Sequence, residues 1–179
     1  MKHLRKLYEQ FGVDKYYQEY GDYYSNPHLP QIVELLQQNI TTINSEAILD
    51  FCAGGGEVTA VLQSLDVKNI AASDPFTAKL YQKQIEQPCF DWSFEDVIKG
   101  KMKGEYSSII CCFAMHLCEP SQLYPLVTQL FAHSPSLVII TPHKRPQLES
   151  LDGVNLVNTA FVLTPRGKKV HWKEYSYDY

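Results

Sequence analysis

An acid and a run of glycines lie close together near the end of the first third of the chain. An apolar run ends at Asp50, three consecutive glycines occupy positions 54 to 56, and a segment typical of a helix begins at Glu57. Glycines let a backbone pass close to a ligand, because no Cβ stands in the way. The helix after them offers unpaired N–H groups and the positive end of its dipole. This order of elements predicts a site for a cofactor that contains adenosine.

The spacing of the acid and the glycines separates the cofactor classes. A dinucleotide site has G-x-G-x-x-G, whereas here an acid precedes three adjacent glycines. The stretch resembles motif I of the class I S-adenosylmethionine-dependent methyltransferases, acid-x-Gly-x-Gly-x-Gly, with Cys52 at the first glycine. A glycine-rich turn in another kind of α/β protein is the alternative. The resemblance implies S-adenosylmethionine as cofactor, S-adenosylhomocysteine as product, and cofactor contacts from Asp50, Cys52, Ala53, Gly54, Gly55 and Gly56.

Two further acids are matched to the cofactor by the same resemblance. Asp74 ends the next predicted strand, 69–74, where the family has an acid that accepts ribose hydroxyls, and Pro75 follows it. The alternative for Asp74 is an acid that caps the next helix. The family also has an acid near the adenine, for which Asp96 is the preferred match. Glu95 and Asp91 are its rivals, because several alignments of the segment 88–97 fit.

Two histidines are candidates for a general base. The segment 106–117 resembles motif IV of the family, which implies that Cys112 and Phe113 lie near the methyl donor. Its usual Asp/Asn-Pro-Pro-aromatic sequence is absent, which disfavours methylation of exocyclic base amines. His116 and His143 each follow a predicted strand, and an imidazole can accept a proton near neutral pH. The alternative for each is a structural histidine that is bonded to a loop carbonyl.

Composition limits the other possibilities. The 179 residues suit one domain, 1–179, and a net charge of −4 gives no overall basic field for nucleic acid or membrane. Five cysteines without zinc-ribbon spacing predict free thiols in a reducing cytoplasm, and no signal peptide or membrane-spanning run is visible. His116 and Glu119 are too few ligands to predict a metal site.

The order of elements predicts an α/β protein, a Rossmann-like three-layer sandwich. We expect a core over 46–179 with a seven-stranded, mostly parallel sheet, closed by an antiparallel hairpin at 155–164 and 168–177. Helical periodicity predicts helices in residues 1–40. The resemblance suggests that this segment forms an N-terminal helical lid over the cofactor, with contacts from Tyr16, Tyr20 and Tyr24; packing on the sheet is the alternative.

The predicted function is methyl transfer to oxygen or nitrogen of a small-molecule acceptor by in-line displacement. One alternative is an RNA or protein methyltransferase that docks its substrate on a basic group, namely Lys144, Arg145, Arg166, Lys168 and Lys169. Another is a cofactor-binding partner subunit without catalysis. The sequence does not indicate the acceptor, the oligomeric state or whether a partner protein is required.

Overall fold

The computed structural model describes residues 26–178. Within them, six strands form one sheet in the order β2-β1-β3-β4-β6-β5. The strands are β1 Ile48–Phe51, β2 Ile70–Ser73, β3 Ser108–Cys112, β4 Leu137–Thr141, β5 Val154–Leu163 and β6 Lys169–Tyr177. The first four run parallel, and β6 is antiparallel to both β4 and β5. The predicted parallel core and its C-terminal antiparallel hairpin are therefore confirmed.

Helices cover both faces of the sheet and make it the middle of three layers. The α-helices are α1 Leu29–Asn39, α2 Glu57–Ser64, α3 Ala78–Ile85, α4 Phe94–Ile98 and α5 Pro120–His133. Short 3-10 turns lie at Ile40–Thr42, Met115–Leu117 and Leu148–Ser150. In the described part of the chain, no helix has the length and apolar character that crossing a membrane requires.

The central strands are apolar on both sides, as a parallel strand between two helix layers must be. All four residues of β1 are buried, and alternate side chains point to opposite faces. Ile48 packs in one apolar cluster with α1 and α2, whereas Leu49 and Phe51 pack in another with α4 and α5. The two clusters hold the sheet rigid, so its loops are held at fixed positions.

The described part of the segment predicted to form a lid is α1. Ile32, Leu35 and Leu36 of α1 are almost fully buried against α2 and the C-terminal hairpin. The spacing of these apolar residues predicted the helix correctly, and a lid formed by the preceding residues stays a prediction. The tyrosines predicted to contact the cofactor, Tyr16, Tyr20 and Tyr24, lie outside the described residues.

The prediction of a seventh strand within 88–97 was wrong. The segment makes a single parallel bridge, between Phe90 and Ser73. Beyond it, Trp92 turns inward and is only 8% exposed, and Ser93 caps α4. The alternation of Phe90, Trp92 and Phe94 with polar residues looked like a strand, but the capping box of α4 ends the extended backbone after one bridge.

Candidate functional site

Five loops meet at one edge of the sheet. The carboxyl ends of parallel strands lie together, and ligands of open α/β sheets bind outside them. The loops after β1, β2, β3 and β4 are therefore neighbours. The turn between β5 and β6 lies at the same edge. β6 is antiparallel to β4, and His171 near the start of β6 pairs with Thr141 at the end of β4. We call this edge the carboxyl edge.

The loop after β1 has the backbone that its glycines permit. Gly54 and Gly56 have positive φ of 58° and 94°, conformations that residues with a Cβ rarely adopt. A Cβ on Gly56 would also overlap the side chain of Ile85 in α3. Cys52 has φ of 62° as well, which explains why glycine is usual at this point of the motif.

Asp50 is fully buried beneath this loop. Its Oδ2 accepts hydrogen bonds from the backbone N and the Oγ1 of Thr59, at 3.1 and 2.7 Å. Its Oδ1 is buried and has no hydrogen-bond partner. Burial raises the pKa of Asp50 to about 7, against the hydrogen bonds from Thr59, and nearby Glu57 adds to the rise. The site thus holds a carboxyl group with one unused buried oxygen.

Asp74 joins the loop after β2 to the glycine loop. Its Oδ2 accepts from the backbone N of Gly54 at 3.0 Å. Its Oδ1 accepts from the backbone N of Phe76 and of Thr77, at 2.9 and 2.8 Å, just before α3. The Oδ1 of Asp74 therefore has the helix-capping role that was the alternative for this residue. The bond to Gly54 fixes the carboxylate, with Pro75 in the same turn, directly beside the predicted cofactor loop.

Asp96, the acid preferred for the adenine, and its rival Glu95 have other partners. Asp96 forms the capping box of α4 with Ser93 and also binds Lys101, and these contacts lower the pKa of Asp96 to about 2. Glu95 binds Lys99 one turn away at 2.6 Å. The rival Asp91 follows the Phe90 bridge directly and so lies at the carboxyl edge. Which of the three acids contacts the adenine stays a prediction.

His116 and His143 come together, as their places after β3 and β4 predicted. Their ring centroids are 4.2 Å apart. Partial desolvation and the facing imidazole of His143 lower the pKa of His116 to about 4, although the residue as a whole remains exposed. His116 is therefore an unprotonated imidazole at neutral pH. The backbone N of His143 is held by the Oγ1 of Thr141 at 3.1 Å.

The loop after β3 is strained where it reaches these histidines. Phe113 has φ of 59°, which is unusual for a bulky residue and typical of functional sites. Its backbone N donates to the carbonyl of Ile140 at 2.8 Å, which anchors the loop to β4. Cys112 before it is half-buried and packs toward the α1 layer, where burial raises its thiol pKa. This thiol is therefore not an activated nucleophile.

His28 is a site residue that the sequence analysis missed. It precedes α1, and its ring lies 5.2 Å from the ring of Phe113. Its Nδ1 is buried and lacks a partner. Burial lowers the pKa of His28, a side-chain hydrogen bond with Gln31 opposes this, and His143 and Lys168 lower it further. The only signal in the sequence was a histidine beside the Asn26-Pro27 turn, which no motif includes.

A separate open concavity of about 600 Å³ lies at the opposite edge, between the segment after α1 and the loop before β2. Its charged lining residues include Asp66 and Lys68, which pair with each other at 2.7 Å. It contains no histidine or cysteine and lies away from the glycine loop. The residues with chemical potential converge on the carboxyl edge instead.

Comparison with known proteins agrees with the topology. No protein-family model matches the chain. An uncharacterized protein of Schizosaccharomyces pombe is 28% identical over an alignment of 191 positions, which spans 82% of this chain and 77% of that protein. The description of that relative names no activity.

Solved structures of methyltransferases share the arrangement of strands and helices. The magnesium protoporphyrin IX methyltransferase of Synechocystis PCC 6803, with bound S-adenosylmethionine, has a TM-score of 0.69 at 14% identity and covers 99% of this chain and 96% of its own. A methyltransferase of Anabaena variabilis gives 0.63 at 12% identity over 82% and 84%. The mitomycin 7-O-methyltransferase gives 0.60 at 12% identity over 84% and 54%. By the course of its strands and helices, this chain has the fold of the class I S-adenosylmethionine-dependent methyltransferases.

Proposed function

We propose that this chain is an S-adenosylmethionine-dependent methyltransferase that acts on a small-molecule acceptor. The observation that carries the proposal is the pairing of two features at one edge. The glycine loop follows β1 and Asp74, which bonds to it, follows β2, while an imidazole pair with centroids 4.2 Å apart follows β3 and β4. The first set suits a cationic cofactor, and the second suits an acceptor that must lose a proton.

The residues present fit the cofactor. Asp50 keeps a buried Oδ1 without a partner, which suits the ammonium group of a methionine moiety. Asp74 uses three hydrogen bonds from backbone N–H groups, and a carboxylate has about four acceptor positions, so one remains for a ribose hydroxyl. Asp91 would accept from the adenine amino group. The glycine loop supplies a backbone that lies close to the ligand.

The chain's own residues then have to orient the acceptor and take its proton. When bound, S-adenosylmethionine supplies a methyl group that is already activated on a sulfonium. Alignment of the acceptor for in-line displacement accounts for most of the acceleration that the protein provides, about 7–11 kcal/mol in favourable cases. We assign the proton to His116 because its ring lies beside that of His143 at the carboxyl edge; its pKa, lowered to about 4, leaves the imidazole free to accept a proton but makes it a weaker base than an ordinary histidine. General-base help is worth about a hundred- to ten-thousand-fold.

Cofactor binding can be tested without knowing the acceptor. Calorimetric titration with S-adenosylhomocysteine should give saturable binding of the full chain, whereas NAD, which needs a different glycine spacing, should give none. Binding of NAD alone would refute the cofactor assignment. Binding of neither would refute it for the isolated chain.

Turnover separates an enzyme from a partner subunit. We expect the chain to form S-adenosylhomocysteine from S-adenosylmethionine in the presence of pooled hydroxyl and amine compounds, as detected by mass spectrometry. His116→Gln should keep S-adenosylhomocysteine affinity and lose turnover. Affinity without turnover in any acceptor pool would favour the non-catalytic alternative, and unchanged turnover in His116→Gln would make this histidine structural.

A further inference from the structure

The C-terminal hairpin separates opposite charges between its two ends. Its turn, next to the carboxyl edge, contains the cations Arg166, Lys168 and Lys169. Its other end, beside Val154 paired with Tyr177, is flanked by the acids Glu149, Asp152 and Asp178. The antiparallel pairing of β6 with β4 brings the basic end next to the loop of His143. An acidic chain with a net charge of −4 therefore has a cluster of cations beside the carboxyl edge.

These cations have no acidic partners within the described residues. Lys144, Arg145, Arg166 and Lys168 are exposed and make none of the ion pairs in residues 26–178. Lys169 lies over the ring of Phe161 at 3.8 Å. Surface cations are usually solvated, so the exposed group alone does not define a site. Behind this group lie His28 and Phe113, which we call the inner wall, and they give the more specific information.

The inner wall contains a nitrogen that lacks a partner. The Nδ1 of His28 is buried and unbonded, and a buried polar atom without a hydrogen bond is costly. His28 lies against Phe113 with ring centroids 5.2 Å apart, on the loop that leads to His116. Burial is the main cause of the lowered pKa of His28, a side-chain hydrogen bond with Gln31 opposes it, and His143 and Lys168 lower it further. An anion at this position would reverse the effect of His143 and Lys168 and give Nδ1 an acceptor.

We propose that the methyl acceptor is a small anionic molecule, whose carboxylate or phosphate group is held by His28, His143 and Lys168. The identification of the bound anion as the methyl acceptor rests on the proposed methyltransferase function. The anion site itself rests on the buried Nδ1 of His28 and on the ring contacts of His28 and His143. His143 lies 4.2 Å from His116, ring to ring. The anionic group would thus be bound next to the residue that takes the proton.

A compact anion fits this wall better than a polyanion. The unpartnered nitrogen is buried beside Phe113, so a long polyanion that lies on the exposed cations does not reach it. RNA would instead be held by exposed cations through many phosphate contacts. The negative net charge of the chain opposes a long polyanion and leaves a local contact with a small anion unaffected. RNA is therefore an outcome of the test and not part of the proposal.

Imidazole NMR tests the site directly on the full chain. Inorganic phosphate and, separately, succinate are titrated at constant ionic strength into protein with labelled histidines, and the ring signals are assigned from His→Gln variants. We expect saturable shifts of His28 and His143 with at least one of the two anions, and the stronger of the two identifies the group. His133 is an internal control, because its Nδ1 is hydrogen-bonded to the carbonyl of Gly104. Gly104 lies in the loop before β3, at the edge of the sheet opposite the carboxyl edge.

Two lysine variants complete the design. Lys168→Met should raise the dissociation constant of the bound anion by about tenfold, the effect of one charge-assisted hydrogen bond. Lys103→Met, an exposed lysine in the loop before β3, should leave that constant unchanged. Equal effects of the two variants, or equal shifts of His133 and His28, would overturn the site.

The remaining outcomes separate the inference from the function on which it rests. If a short single-stranded RNA shifts these signals with a steep salt dependence while both small anions do not, the inference is overturned in favour of RNA. If S-adenosylhomocysteine binds and no anion does, the inference fails and the proposed function stands. If an anion binds and S-adenosylhomocysteine does not, the anion site stands and the cofactor assignment fails.

Discussion

The hydrogen bond between Asp74 and Gly54 allows a quantitative test of the cofactor site. Asp74→Asn preserves the size of the side chain and one acceptor oxygen, which can keep the bonds from Phe76 and Thr77. Its amide NH₂ then faces the backbone N of Gly54, where Oδ2 accepted a bond at 3.0 Å. Loss of one hydrogen bond to a charged acceptor costs about 1.5–3 kcal/mol. For a chain of this length, about 2 kcal/mol lowers the Tm by roughly 4–8 °C.

The same substitution should weaken cofactor binding. We expect the dissociation constant of S-adenosylhomocysteine to rise by at least about tenfold, because the ribose loses a charged acceptor and the glycine loop loses its anchor. Calorimetry measures the affinity, and thermal unfolding measures the stability. Asp66→Asn is the matched control, since Asp66 is exposed and pairs only with Lys68 at the opposite edge, and it should change neither quantity by more than about 0.5 kcal/mol.

The two readouts can fail separately. A variant with lowered Tm and unchanged affinity would show that Asp74 only caps α3 and braces the loop, and the ribose role would be refuted. A variant with unchanged Tm would contradict the structural bond to Gly54. Either result would identify which part of the reasoning about this carboxylate was wrong.

Three further predictions concern single groups. Burial raises the pKa of Asp50 from 3.8 to about 7, so between these pH values the folded state holds a proton that the unfolded state releases. The free energy of unfolding should therefore fall as pH rises through this range. The Tm of Asp50→Asn should lack this decline, and a parallel decline would contradict the assignment. Cys52→Gly should be more stable in denaturant than Cys52→Ala by about 1 kcal/mol, the reverse of the usual order, since φ at this residue is 62°. NMR titration should find His116 half-protonated near pH 4, and a value near 6.5 would refute its desolvation beside His143.

Much of the fold could be predicted because parallel strands have a simple pattern. The runs that became β1 and β4 are apolar throughout, and their burial on both faces is what such runs predict. The prediction of a strand within 88–97 failed for a local reason. Ser93 and Asp96 form a capping box, and its sequence, Ser-x-x-Asp, departs from the usual Glu or Gln at the last position. An alternation of aromatic residues was therefore given more weight than a helix start.

Sequence analysis placed at the carboxyl edge the residues whose positions follow from strand order, but it missed the residue whose position depends on helix packing. Asp50 lies near the end of β1, and Asp74, His116 and His143 follow strand ends, so the topology brings all four to one edge. His28 is brought there by α1, whose apolar face packs on the hairpin. That contact joins segments far apart in the chain, and no spacing within the sequence encodes it.

The carboxyl edge has opposite charges on its two sides, and these charges add to the pKa shifts that burial causes in Asp50 and His28. On the β1 and β2 side, Glu57 and Asp74 help to raise the pKa of Asp50. On the β4 and β6 side, His143 and Lys168 lower the pKa of His28. Each side also contains a buried polar atom without a hydrogen-bond partner, Oδ1 of Asp50 on the first and Nδ1 of His28 on the second. A cationic methyl donor would relieve the first side and an anionic acceptor the second, so the two reactants would be sorted by charge before any contact with the reacting atoms.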